Sequence, residues 1–235
     1  MSQINAPIIL AVDTPQLQTA IDWVKATEGV VRVYKLGLEF YLSFGLDGVK
    51  AIRDHTQSDI FLDLKLHDIP HTVSGAAKAI STVKPKYLTV HASGAHAMIE
   101  AAVEALPETL VTAVTILTSL SEADVAAVGF KSNALESAAR LAELSVNAGA
   151  RAIVCSPLEI QAVRQSVGES TQIITPGVRP AGGTSADDQV RTLTPRQAID
   201  RGANLVVIGR PITNAWVDGA SAMRERAIAI AREII

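Results

Sequence analysis

Three observations predict an α/β chain of the (β/α)8, or TIM, barrel class. Eight short runs rich in Val, Ile and Leu recur over 235 residues, each followed by a stretch with helical periodicity. Aliphatic residues dominate while aromatics make up only 4%, which suits helices packed closely on a buried parallel sheet and argues against stacking platforms for nucleic-acid bases. Finally, Asp13 is followed by Thr14 and Pro15, so the first run lacks the glycine-rich turn of an open dinucleotide-binding sheet.

The runs can be taken in order. Ile8 to Asp13 is five apolar residues closing on an acid, and Val33 to Gly37 carries Lys35 inside an apolar frame. Ile60 to Lys65 carries Asp63 and Lys65, and Pro70 just beyond it stops further strand pairing. Tyr87 to His91 ends on a histidine, while Val111 to Leu117 runs into Thr118 and Ser119. Ser121 before Glu122 reads as a helix cap, and Ala134 to Asn147 as an amphipathic helix. Ala152 to Ser156, Gln172 to Val178 and Leu205 to Gly209 complete the eight strands, and Ser221 to Ile235 is a second clear amphipathic helix. No linker, low-complexity block or charge run interrupts the alternation, so residues 1–235 read as one catalytic domain. The irregular stretch from Arg179 to Thr194, rich in Pro, Gly, Ser and Asp, is long enough to be a lid or binding loop.

Charge narrows the function. With 21 Lys and Arg against 24 Asp and Glu the net charge is -3, and no basic stripe is present for nucleic acid. An anionic ligand must therefore be held by a few local cations. The single cysteine, Cys155, rules out an internal disulfide and a Cys-rich zinc site and suits a reducing compartment. With no basic residue beside it, it reads as a small packed hydrophobe. The run Ile8 to Val12 is too short for a signal core or a membrane span and has no basic segment before it, so a cytoplasmic protein without membrane contact is expected.

In a barrel, function gathers at the C-terminal ends of the strands. The densest group there is Phe61-Leu62-Asp63-Leu64-Lys65-Leu66-His67-Asp68-Ile69-Pro70. Asp63 and Lys65 are two apart on one strand, which places both on the interior face, and Asp68 lies past its end. Buried charges cost several kcal/mol each unless they pair. Lys35 on the neighbouring strand can complete an alternating Lys-Asp-Lys-Asp network. Gly209 and Arg210 end the eighth strand where such barrels bind phosphate: glycine permits close backbone approach and arginine offers a fork of donors. Arg179 is a further candidate after the seventh strand. Asp13 can accept from neighbouring sugar hydroxyls or cap the helix near Pro15, and capping is the simpler reading. Thr118 and Ser119 can meet polar atoms of a base. His91 reads as a hydrogen-bonded member of the upper barrel layer rather than as a general base.

These residues, with Leu10-Ala11-Val12-Asp13, Tyr34-Lys35-Leu36-Gly37, Thr115-Ile116-Leu117-Thr118-Ser119, Pro176-Gly177-Val178-Arg179-Pro180 and Ile208-Gly209-Arg210-Pro211-Ile212, resemble the bacterial orotidine 5'-monophosphate decarboxylase family along essentially the whole chain. The resemblance implies a homodimeric barrel that converts orotidine 5'-monophosphate to uridine 5'-monophosphate and carbon dioxide, the last step of de novo UMP synthesis, without cofactor or metal. It implies that Lys35, Asp63 and Lys65 come from one subunit, with Lys65 as proton donor, while Asp68 and Thr72 enter from the other. Asp13 is implied to hold the ribose, Thr118 to lie against the pyrimidine, and Gln189, Gly209 and Arg210 to engage the phosphate, with Arg179 among the substrate contacts.

Two other functions compete. A magnesium-dependent sugar-phosphate decarboxylase of the same barrel group, of the 3-keto-L-gulonate 6-phosphate type, needs a carboxylate where this chain has Lys35, whose cation repels the metal. A noncatalytic nucleotide-binding barrel would have no use for a charged network that is costly to bury.

Overall fold

The structure, a computed structural model, describes residues 4–180 and 193–235. The chain begins with β1 (Ala6–Ala11), α1 (Leu17–Thr27), β2 (Val31–Gly37), α2 (Leu38–Arg53), β3 (Asp59–Leu66) and α3 (Pro70–Ile80). It continues through β4 (Tyr87–His91), α4 (Ala95–Ala105), β5 (Leu110–Val114), α5 (Glu122–Ala127), α6 (Ala134–Asn147) and β6 (Ala152–Val154). It ends with α7 (Ile160–Val167), β7 (Gln172–Thr175), α8 (Pro195–Asp200), β8 (Leu205–Ile208), α9 (Arg210–Thr213) and α10 (Ala220–Ile234). Each strand pairs in parallel with the next, and β8 returns to β1 through Ile8 opposite Val206 and Leu10 opposite Ile208, which closes the barrel. Closure leaves no sheet edge exposed. Among the described residues no helix is long and apolar enough to cross a membrane.

Period-two alternation sorts the strand residues into two cores. Inward-facing Ile9, Val33, Phe61, Tyr87, Ala152, Ile174 and Leu205 fill the barrel, and the Tyr87 hydroxyl donates to Gln172 Oε1 at 2.8 Å. Their neighbours Ile8, Leu10, Leu36, Ile60, Leu62 and Leu88 face outward into the layer beneath the helices. Two residues further along β1 to β4, the inward positions are Ala11, Lys35, Asp63 and Thr89. The same alternation that builds the core therefore delivers charge to the C-terminal mouth.

Several strands stop sooner than the apolar runs do. β1 ends at Ala11, β5 at Val114, β6 at Val154 and β7 at Thr175, leaving Asp13, Thr118 and Arg179 on the loops beyond. An apolar letter reports burial, not ladder pairing: Ile116 is buried although it lies past the end of β5. The cap at Ser121 is present, and Asp124 completes it reciprocally with its carboxylate on the Ser121 N–H. The cap assigned to Asp13 is not. α1 has Gln16 at its N-cap with no side-chain cap, and the hydroxyl that accepts the Gln16 N–H belongs to Thr14. Asp13 is thus left for the barrel mouth.

Candidate active site

A cavity of about 310 Å3 opens at the C-terminal mouth, within the roughly 300–1,000 Å3 typical of small-molecule sites. Asp13, Lys35, Asp63 and Lys65 reach it from the ends of β1 to β3. Thr118 enters from the loop after β5, Arg179 from the loop after β7, and Gly209 and Arg210 from the end of β8. Between them lie the apolar side chains of Ile116, Leu117, Val154 and Val207.

The charged residues form an alternating chain. Lys35 Nζ lies 3.5 Å from Asp13 Oδ1 and 3.3 Å from Asp63 Oδ2, and Lys65 Nζ donates to Asp63 Oδ1 at 2.8 Å. Burial disfavours the Lys35 cation, but the Asp63 and Asp13 charges more than offset it and hold the ammonium above the usual lysine range. Burial likewise pushes Asp63 up, yet Lys35 and then Lys65 pull harder, with hydrogen bonds from Lys65 and Thr89, and leave it below the usual carboxylate range. Both therefore stay charged at neutral pH. Gly37 makes room for this arrangement. A Cβ there would lie 3.1 Å from Asp13 Oδ1 and 3.2 Å from Lys35 Nζ.

The shared face of Asp63 and Lys65 does not come from simple alternation. Lys65 has φ of +47°, in the left-handed region, where the pairing of β3 with β4 shifts register. Its ammonium reaches Asp63 from a bulge.

The model of the Orotidine 5'-phosphate decarboxylase / HUMPS family matches residues 6–225. The Orotidine 5'-phosphate decarboxylase of Thermobifida fusca is 52% identical over 217 residues, covering 92% of this chain and 93% of that protein. The protein of the same name from Frankia casuarinae is 44% identical over 242 residues, covering 96% and 87%. This chain belongs to that family. The crystal structure of Orotidine 5'-phosphate decarboxylase from Lactobacillus acidophilus superposes with a TM-score of 0.81 at 32% identity, covering 97% of this chain and 98% of that one.

Of the residues that the family resemblance marks, Asp13, Lys35, Asp63, Lys65, Thr118, Arg179, Gly209 and Arg210 share the one cavity. Asp68 and Thr72 do not line it. Both are exposed, and the Asp68 carboxylate accepts the Ile69 N–H at 2.7 Å. The fourth member of the charged chain within one subunit is consequently Asp13. Gln189 lies outside the described residues. Ser119 is exposed and does not line the cavity.

His91 is not held as expected. Its contact is the His67 ring, centroid to centroid 5.4 Å. Burial first, then electrostatic interaction with His67 and Lys65, holds its imidazole below the ordinary histidine value, so it is neutral at pH 7. Cys155 is free and fully buried, and burial raises its thiol pKa, which leaves it inert. Thr89 is the contributor that no motif announces. Its only trace in the sequence is a hydroxyl at an inward strand position between Tyr87 and His91.

Proposed function

We infer that this chain decarboxylates orotidine 5'-monophosphate to uridine 5'-monophosphate and carbon dioxide, the last step of UMP synthesis. The observation that carries the reading is the paired Asp63 and Lys65, 2.8 Å apart, in a cavity that also presents Gly209 and Arg210. Loss of carbon dioxide from C6 of the pyrimidine leaves an electron pair in the ring plane, where the ring π-system cannot spread it. A preorganised cation beside C6 meets that charge as it forms. At 4 Å and an effective dielectric near 20 one such pair is worth roughly 4 kcal/mol. Lys65 therefore supplies part of the barrier reduction and then the proton that replaces carbon dioxide.

Asp63 lies beside the departing carboxylate, where like-charge crowding is relieved as the bond breaks. Lys35 keeps Asp63 ionised and orients both Asp63 and Asp13. Asp13 accepts from the ribose hydroxyls, Thr118 meets the pyrimidine, and Gly209, Arg210, Arg179 and Gln189 take the phosphate end. Binding energy at the phosphate, remote from C6, is then available to the chemical step.

A second copy of the chain completes the site on this reading, with Asp68 and Thr72 reaching into the partner's cavity. Their exposure supports it, as does the apolar side chain of Ile69, next to Asp68 and 65% exposed. The whole chain acts as one catalytic domain in the cytoplasm, in keeping with its free cysteine. No metal takes part: Lys35 and Lys65 together balance the two carboxylates, Asp13 and Asp63, that would otherwise attract a divalent cation. The same Lys35 disfavours the magnesium-dependent sugar-phosphate reaction. The test is the fall in ultraviolet absorbance of orotidine 5'-monophosphate in EDTA-treated buffer. Turnover should be unchanged by the chelator. Activity that vanishes and returns only with Mg2+ assigns the chain to the sugar-phosphate enzymes instead.

A further inference from the structure

The ladder between β3 and β4 is interrupted at the centre of the site. Phe61 and Leu62 pair with Tyr87 and Leu88, and pairing resumes with Leu66 opposite Val90. Asp63, Leu64 and Lys65 therefore stand opposite Thr89 alone. The surplus is absorbed at Lys65, whose φ of +47° is sparsely populated for any residue but glycine. A bulge of this kind strips a backbone amide of its ladder partner. Here the partner is replaced by a side chain: Thr89 Oγ1 accepts the Lys65 N–H at 2.8 Å and donates to Asp63 Oδ1 at 3.0 Å.

The direction of both bonds is forced. A backbone amide can only donate and an ionised carboxylate can only accept, so the single hydroxyl proton must go to Asp63. Thr89 has no exposed surface and does not line the cavity, so it meets no substrate. It acts through the two groups it joins. The same Asp63 Oδ1 also receives Lys65 Nζ, which closes a ring from the Lys65 backbone through Thr89 and Asp63 to the tip of the Lys65 side chain.

We propose that Thr89 is a positioning residue for the decarboxylation, its hydroxyl tying the strained backbone of Lys65 to the carboxylate of Asp63 and so fixing where the ammonium points. The proposal rests on the decarboxylase reading of this site. Thr89→Val keeps the β-branched shape that suits a strand and removes both hydrogen bonds; Thr89→Ser keeps both. The valine variant should lose about 10- to 100-fold in kcat, as expected when a reacting group is misplaced by about an ångström. Its KM and its affinity for the product uridine 5'-monophosphate should change less than about threefold, because no ligand contact is removed. The serine variant should keep kcat within about fivefold of wild type. In carbon-13 spectra of the labelled Asp63 carboxyl, the valine variant should titrate at higher pH than wild type, because a donor to the charged form is gone, and the serine variant should not.

A valine variant with near-wild-type kcat overturns the proposal. Equal losses in both variants do the same, since shape rather than the hydroxyl would then matter, and so does an Asp63 titration unmoved by valine. Should wild type fail to decarboxylate the nucleotide at all, the functional reading falls, while the Asp63 titration still decides whether Thr89 holds that carboxylate.

Discussion

Replacing Lys35 by methionine tests the electrostatic core of the site, because it removes one charge and keeps the length of the side chain. Lys35 Nζ is 3.3 Å from Asp63 Oδ2, which at an effective dielectric near 20 corresponds to about 5 kcal/mol of attraction. The Asp13 side chain is 54% exposed, so its share is screened by solvent and adds little. Losing one partner of a buried pair costs roughly 3–5 kcal/mol overall, since the remaining carboxylate can take up a proton or water. The cost must depend on pH. Asp63 is held below its ordinary value of 3.8, so its contribution to stability is present above that pH and lost as pH falls through the lower native value. Lys35 is held above 10.5, so its contribution is present below that pH and lost as pH rises through the higher native value. Urea unfolding at pH 7 should show Lys35→Met less stable by about 3 kcal/mol, and the gap should persist down to about pH 4 and narrow as the pH falls below 3.8. In the same preparations kcat/KM for orotidine 5'-monophosphate should fall at least about 100-fold, because Asp63 is left with one cation instead of two. A stability gap that fails to narrow below pH 3.8, or a variant that retains wild-type kcat/KM, refutes the reasoning.

Two further outcomes are expected. Arg210→Ala should reduce kcat/KM on the nucleotide by about 2–4 kcal/mol through loss of a charge-assisted phosphate contact, while turnover of the phosphate-free nucleoside barely changes; equal losses on both substrates make Arg210 structural. Lys65→Ala and Asp68→Ala should each be severely impaired alone, yet subunit exchange between them should restore roughly a quarter of wild-type activity per site, because half the dimers are mixed and each holds one intact site of two. No recovery after verified exchange shows that Asp68 works within its own chain.

Local patterns carried much of this protein in its sequence. Apolar runs of period two or nearly continuous hydrophobicity, separated by helix-patterned stretches, are enough to specify the alternation of the barrel, and the bounds of α6 and β4 coincide with the runs that mark them. Charged letters inside apolar strands, Lys35, Asp63 and Lys65, were equally legible, since burial of a charge demands a reason. Gly209-Arg210 at a strand end was legible from the same logic.

What the tertiary structure alone decided involves residues distant in sequence. Asp13 resembles a helix cap when read with its neighbours, yet it faces Lys35, 22 positions away, across the β1–β2 ladder. Thr89 looks like an ordinary strand threonine until a bulge in β3, 26 positions from it, turns an amide and a carboxylate toward its hydroxyl. Sequence patterns report the period of a segment and whether it is buried. Register between strands and the place where a ladder slips are set by the closure of all eight strands at once, so the partners of Asp13 and Thr89 exist only in the folded barrel.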